Sequence, residues 1–463
     1  MKSLDWKVKK MNSIAKKMMT MVLTIFTIMI GLQLVACDNS ENDPVDVDSN
    51  ENNMVNENDT QSNEEEVDEV TISSGTLSVA FWDQNQRAGI QGVVDAFTAE
   101  TGIQVEINLV PWGEYWTMLE ASATGGDLPD IFMMHNNEID RYMDADLLFD
   151  LTDMIHESTL MDFSRFPQTV TDVFSSNGRH FAIPHEISAG ALWYNIDMFE
   201  EAGIDLPTSD WTWDDLYEAA VALTLDDGSQ YGFSWGPGEN QTGYWITIYS
   251  MGGYVINEDR TASGFNNPNT IRAMEFTENL IRNAMPPLTT ITENSSEVLF
   301  GAGRIAMMTS GSWNVPTFAE IDFFSGNVGV ALIPKDAETG NRVGMTNGNA
   351  WSIAANTDMP EEALRLLEWF ATEEMQTRLA ETGVTFTALS GTTQAWVDYH
   401  STWDLSPYVE ILEVSVNRPY SRNTTVWEFR SNDIWTRLWA GEISAQEASA
   451  EVYELMTNAL TEE

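Results

Sequence analysis

The hydrophobic period switches repeatedly between Leu77 and Met134, and this run constrains the fold more than any other stretch of the chain. Leu77, Val79 and Phe81 alternate in a strand ending at Trp82. Ile90, Val93, Val94 and Phe97 then recur at helical spacing, with Gly102 where a helix C-terminus favours a left-handed residue. Ile103, Val105, Ile107 and Leu109 alternate again. A helix over 113–124 leads through Gly125-Gly126-Asp127-Leu128-Pro129 into a short strand, Asp130 to Met134. Strand, helix, strand, helix, strand requires right-handed crossovers and a parallel sheet.

A second series begins near Tyr194. Thr212-Trp213-Asp214-Asp215 resembles a capping box ahead of a helix whose buried face is Leu216, Ala219, Ala220 and Leu223. Ile271, Met274, Leu280 and Ile281 place a helix over 269–283. Pro360 opens another helix, with its stop expected at Gly383. The segment after residue 184 starts a new α/β unit, and irregular linkers recur near 330–350 and 385–395. A chain of 463 residues accommodates two domains at roughly 100–200 residues each. Several crossings between two such units would make a hinge.

Charge removes whole classes of function. Against 72 Asp+Glu stand 22 Lys+Arg, a formal net charge of −50. Neutralising phosphates needs clustered Lys and Arg, so nucleic acid is excluded as a partner, and so is an electrostatic grip on anionic lipid. After residue 17 the only lysine is Lys335, in Ile-Pro-Lys-Asp, so there is no P-loop. The single cysteine closes no intramolecular disulfide and builds no thiolate metal site.

That cysteine has a different place. Lys2, Lys7, Lys9, Lys10, Lys16 and Lys17 precede an apolar run, Met18 to Leu32, and then Leu34-Val35-Ala36-Cys37. An apolar run of about 15 residues is shorter than the roughly 20 of a spanning helix and suits a signal peptide. Leu-Val-Ala-Cys resembles the lipobox of bacterial lipoproteins, which implies cleavage after residue 36 and lipidation of Cys37, a stable anchor. The alternative is an uncleaved N-terminal anchor. Residues 38–74 carry no Lys or Arg and are filled with Asp, Glu, Asn and Ser, the composition of a solvated, self-repelling tether. Loss of residues 1–36 removes six Lys and one Asp and deepens the acidity, which reads as adaptation to high salt or high pH.

Catalytic patterns do not hold up in context. Gly232-Phe233-Ser234-Trp235-Gly236 matches a nucleophile elbow, but Pro237, Gly238 and Gly243 follow where a helix must start at once. His185-Glu186 opens an H-E-x-x-H pattern that fails at Ala189, and the five histidines form no ligand set. Acidic pairs are too abundant to mark a glycosidase. The 17 Trp and 12 Tyr are more telling. Rings at strand ends and in Gly-rich loops (Trp82, Trp193, Trp245, Trp313, Trp427) are candidates for an open face that stacks on the C–H side of a sugar.

Several stretches together carry a family resemblance. They are Gly125-Gly126-Asp127-Leu128-Pro129-Asp130-Ile131-Phe132; Ile183-Pro184 with Leu192-Trp193-Tyr194-Asn195; Thr212 to Leu216; Leu299-Phe300-Gly301-Ala302-Gly303-Arg304-Ile305-Ala306-Met307-Met308 with Gly311-Ser312-Trp313; and Gly348-Asn349-Ala350-Trp351 with the helix over 361–370. In that order they resemble the extracellular solute-binding proteins of ABC transporters, in the sugar-binding group that includes maltose-binding protein. The likeness covers nearly all of residues 76–450.

The resemblance implies an α/β, two-lobed periplasmic-binding-protein-like fold. Each lobe would be a mainly parallel sheet flanked by helices, and a multi-crossing hinge would join them. The N-lobe would comprise 75–185 and 334–388 and the C-lobe 186–333 and 389–463, behind a signal peptide (1–36) and a tether (37–74). Sugar would bind between the lobes at the strand C-termini, with closure about the hinge. By motif position the ligand-binding residues would be Trp82, Gln84, Asn136, Ser188, Asn240, Trp245, Trp313, Asn349, Trp427 and Arg430. Where maltose-binding protein has carboxylates this chain has Asn136 and Asn240, which points away from maltose. The implied protein is a monomeric, non-enzymatic, lipid-anchored receptor without metal or cofactor that hands a carbohydrate to ABC-transporter permease subunits. The rival readings are a surface glycoside hydrolase and a sugar-sensing subunit feeding a receptor kinase.

Overall fold

A computed structural model describes residues 75–236, 238 and 240–462. The leader, Cys37 and the acidic tether lie outside the described residues. Strand β1 (Thr76–Phe81), helix α1 (Arg87–Thr101), β2 (Gln104–Leu109), α2 (Trp112–Gly125) and β3 (Ile131–His135) realise the alternating start, followed by a short helix α3 (Ile139–Asp144). Gly102 caps α1 with φ 76°, a left-handed position that an L side chain resists. The second series contains β4 (Ile183–Ile187), β5 (Gly190–Asn195), α4 (Trp213–Ala222), β6 (Tyr231–Ser234), α5 (Trp245–Ser250), α6 (Pro268–Asn283), β7 (Ile305–Gly311) and β8 (Val328–Ala331). After it come β9 (Gly344–Thr346), β10 (Gly348–Ile353), α7 (Pro360–Ala371), α8 (Glu373–Ala380), α9 (Thr393–Tyr399), β11 (Ser415–Asn417), α10 (Thr424–Ala440) and α11 (Ala445–Thr461).

These strands form two main sheets, one per lobe. The first has the order β2-β1-β3-β10-β4, the second β8-β5-β7-β6, and β9 pairs with β11 between them. Pairing is parallel among β1, β2 and β3 and between β6 and β7, while β10 and β5 run antiparallel to their neighbours. The sheets are therefore mixed, and topology explains it. Strand β5 receives the chain from β4 of the first sheet and β10 receives it from β9, so both start at the gap where β1, β3, β6 and β7 end.

Each sheet buries an aromatic core. In the first lobe Trp351 stacks on Phe370 of α7 at 5.0 Å and meets Phe81 edge-on. In the second, Trp193 packs against Phe318, Phe324 and Trp403. The helix expected to run from Pro360 to Gly383 is two helices. Thr372 leaves the helical region, and its side chain accepts from the Met375 N–H to cap α8, which ends before Gly383 at φ 72°. Trp396 of α9 packs on Phe386 and on Tyr408, and the Trp403 indole donates to Phe324 O beside the second sheet.

Candidate functional site

The gap between the sheets holds a cleft of about 550 Å³, and the ends of strands supply its walls. Trp82 follows β1 and Trp112 opens α2. The Tyr115 hydroxyl pins α2 beneath the sheet by bonding the carbonyls of Ala80 and Met133 at 3.1 and 2.8 Å. Trp82 and Trp112 meet nearly at right angles, ring centres 5.0 Å apart, with Trp116 and His135 packed against them. Trp112 is 46% exposed. A large ring nearly half exposed beside a cleft is a contact surface rather than core.

The crossings position the opposite wall. Ser188, between β4 and β5, donates its N–H to Asn347 O at 2.8 Å, and its hydroxyl receives the Asn347 N–H and a Gln241 amide proton. Ala189 and Ser312 then exchange bonds, which seats Trp313 at the end of β7. The Trp313 ring lies directly over Gly311. A Cβ on Gly311 would stand 2.2 Å from the ring, so only glycine permits this placement.

The floor is polar and internally paired. His185 Nε2 bonds Gln86 Oε1 at 2.8 Å, the Gln86 amide donates to Glu186, and the Asn349 amide donates to the other Glu186 oxygen. Burial holds the His185 imidazole down at about 3, so it is neutral. Burial, then the nearby Asp83 charge, raises Glu186 to about 7 against its two amide bonds. Burial raises the Asp83 carboxyl as well. His135 is held well below its ordinary value by burial and by the Arg418 charge; its Nδ1 accepts from the Asn137 N–H, and its Nε2 pairs with the Asn347 carboxamide at 2.7 Å. Arg418 lines the cleft with its charge already met by Glu428 at 2.7 Å.

Of the residues expected from sequence, the cleft brings together Trp82, Ser188, Asn240, Trp313 and Asn349. It does not include Gln84, Asn136, Trp245, Trp427 or Arg430. Gln84 sits exposed on the turn after β1. Asn136, expected from its position after the Asp-Ile-Phe strand, is 1% exposed, while its neighbours His135 and Asn137 line the cleft. Trp245 lies buried behind Arg418, whose guanidinium stands 4.9 Å above its ring. Trp427 is buried with its indole N–H bonded to Ser421, and Arg430 is exposed on α10. Sequence reasoning missed Trp112, Glu186 and Arg418. The first had the signal of a Trp after a strand at the start of a helix, and the second was read only as part of a failed zinc pattern. Ser234 ends β6 fully buried, bonded to Ser296 at 2.9 Å, and no helix follows it at once, so the elbow is not built.

Comparison with known proteins fits this arrangement. Residues 82–377 match the family of bacterial extracellular solute-binding proteins. The chain belongs to that family. A galactooligosaccharide-binding protein of Bacillus subtilis is 25% identical over 321 residues, 67% of this chain and 72% of its own. An ABC substrate-binding protein of Listeria monocytogenes, solved in complex with cycloalternan, has a TM-score of 0.77 at 21% identity over 83% of this chain and 99% of its own. The GacH receptor of Streptomyces glaucescens, solved unliganded and with acarbose, has a TM-score of 0.73 at 19% identity over 84% and 99% of the two chains. As a solute-binding protein, the chain has its cleft where open α/β sheets place ligands, outside the strand C-termini.

Proposed function

We propose that this solute-binding protein is a lipid-anchored receptor on the outer face of a bacterial membrane that captures a neutral oligosaccharide and delivers it to an ABC-transporter permease. One observation carries the choice of ligand: seven of the sixteen residues lining the cleft are carboxamides, Asn85, Asn137, Asn240, Gln241, Asn314, Asn347 and Asn349. A carboxamide both donates and accepts, as every sugar hydroxyl does, so such a lining suits a polyol. Trp82, Trp112 and Trp313 add flat faces for the C–H side of sugar rings. The cations here are met or neutral, Arg418 by Glu428 and both imidazoles by burial, so nothing calls for an anionic ligand. The names of the Bacillus and Listeria relatives point to the same ligand class.

Anchoring at Cys37 and the acidic tether would hold the receptor near its permease, and among the described residues no helix is long and apolar enough to cross a membrane. The test is a thermal-shift screen of the mature chain against neutral, acidic and amino-sugar oligosaccharides, with each positive mixture analysed for products. Stabilisation by neutral glycans without cleavage supports the reading. Released product would make the protein a hydrolase, and stabilisation confined to charged ligands would remove the neutral class.

A further inference from the structure

Three arginines of the second lobe converge on one short stretch of the first, residues 137–144. Arg260 reaches Asp140 at 2.8 Å, and Arg422 reaches Asp144 at 3.4 Å. Arg418 gives one amino group to Asn137 and the other to Glu428, while its backbone N–H bonds Thr346 O at 2.7 Å on the crossing strand β9. The three lie in separate surroundings: a turn before α6, the end of β11, and the approach to α10.

Two observations mark the seam as more than incidental contact. Arg260 adopts φ 56°, the left-handed region. Outside glycine, the described residues hold only Asp146 and Asn177 there besides it, types that tolerate it better than arginine does. Such a posture persists where the surroundings fix it, and it gathers at functional positions. Here the Arg260 guanidinium rests 4.5 Å above the Tyr420 ring and is aimed across the gap at Asp140. The second observation is scarcity. In a chain with 22 bases against 72 acids, six of the bases precede residue 18, so two acidic lobes must approach against mutual repulsion. Arg260 and Arg422, each set against a carboxylate of the first lobe, oppose that repulsion at the approach surface, while Arg418 adds a hydrogen bond to Asn137.

We propose that Arg260, Arg418 and Arg422 are positioning residues for ligand capture, a latch on residues 137–144 that sets the balance between open and closed lobes. Because Asn137 and Arg418 both line the cleft, closing the latch also completes the cleft wall. The proposal rests on reading the cleft as a binding site, yet its test needs no ligand, so either can fail alone. Spin labels at Glu106→Cys and Glu293→Cys, in a mature chain carrying Cys37→Ser, report the distance between lobes by double electron–electron resonance. Ionic strength is held fixed, since salt screens latch and repulsion alike. Arg260→Asp and Asp140→Arg should each lower the closed fraction at least tenfold, and the double exchange Asp140→Arg/Arg260→Asp should restore it. Melting curves of all four chains exclude unfolding as the cause, and aspartate at position 260 tolerates the left-handed backbone. Identical distance distributions in parent and single variants, or a double exchange as open as the singles, would overturn the latch.

Discussion

Gly311 shapes the cleft by lacking a side chain. Gly311→Ala would set a Cβ 2.2 Å from the Trp313 ring, so the ring must leave its place. Binding should weaken while the lobe stays folded, which calorimetry beside a melting curve would show. Trp313→Ala should weaken affinity by at least tenfold, about 1.4 kcal/mol, as expected when an aromatic contact and its buried area are lost together. A core tryptophan would instead cost about 3–5 kcal/mol of stability on truncation. At 38% exposure Trp313 belongs to the first case. Glu186 supplies a pH signature. Its carboxyl rises from 4.5 to about 7 in the folded protein, so the native state holds this proton more tightly than the unfolded chain. Its contribution to stability is complete below pH 4.5 and is lost as pH rises through about 7. Glu186→Gln should therefore melt higher than the parent at pH 8, with the difference shrinking toward pH 5; a constant difference across that range would contradict the assigned cause. Trp82 was legible because alternation in β1 marks the strand end, and Trp313 because it closes the Gly311-Ser312-Trp313 motif. Asn136 was expected from its place after β3 alone, and β3, buried along its whole length, has no alternation that could tell it from Asn137. Arg418 left no local trace, since its position follows from the pairing of β9 with β11 across a long stretch of chain.

At the scale of elements, patterns that are local in sequence read well. Thr212 and Asp215 form a complete capping box: the Asp215 N–H donates to the Thr212 hydroxyl, and the Asp215 carboxylate accepts from the Thr212 N–H at 2.8 Å. Thr212→Ala should lower stability by about 1 kcal/mol in denaturant titration and leave ligand affinity unchanged, because α4 supports β6 away from the cleft. An affinity loss would tie this helix to the site. The break at Thr372 and the reversed strands β5 and β10 were not legible. A single capping Thr between two amphipathic segments scarcely disturbs their hydrophobic period, and strand direction depends on which lobe the chain arrives from. Trp245 and Trp427 lie on the helices α5 and α10, and whether a helical ring faces solvent, cleft or core is decided by tertiary packing, here by Arg418 and Ser421.

At the scale of the whole molecule, charge dominates. A net −50 makes the folded chain repel itself, and salt screens that repulsion within about 10 Å at 0.1 M. The melting temperature should rise from low salt toward molar sodium chloride; a flat or falling curve would remove adaptation to salt as the reason for the composition. The same excess of acids explains why the seam between lobes matters, since closure brings two bodies of like charge together. The proposed function requires the cleft to be a receptor for neutral sugar. Calorimetric titration of the mature chain with neutral, uronic and amino-sugar oligosaccharides, repeated on Trp82→Ala and Trp313→Ala, tests this most directly. One site per chain should take a neutral oligosaccharide and lose at least tenfold in affinity in each variant. A charged ligand preferred over every neutral one, or a neutral ligand bound equally well without either ring, would contradict it.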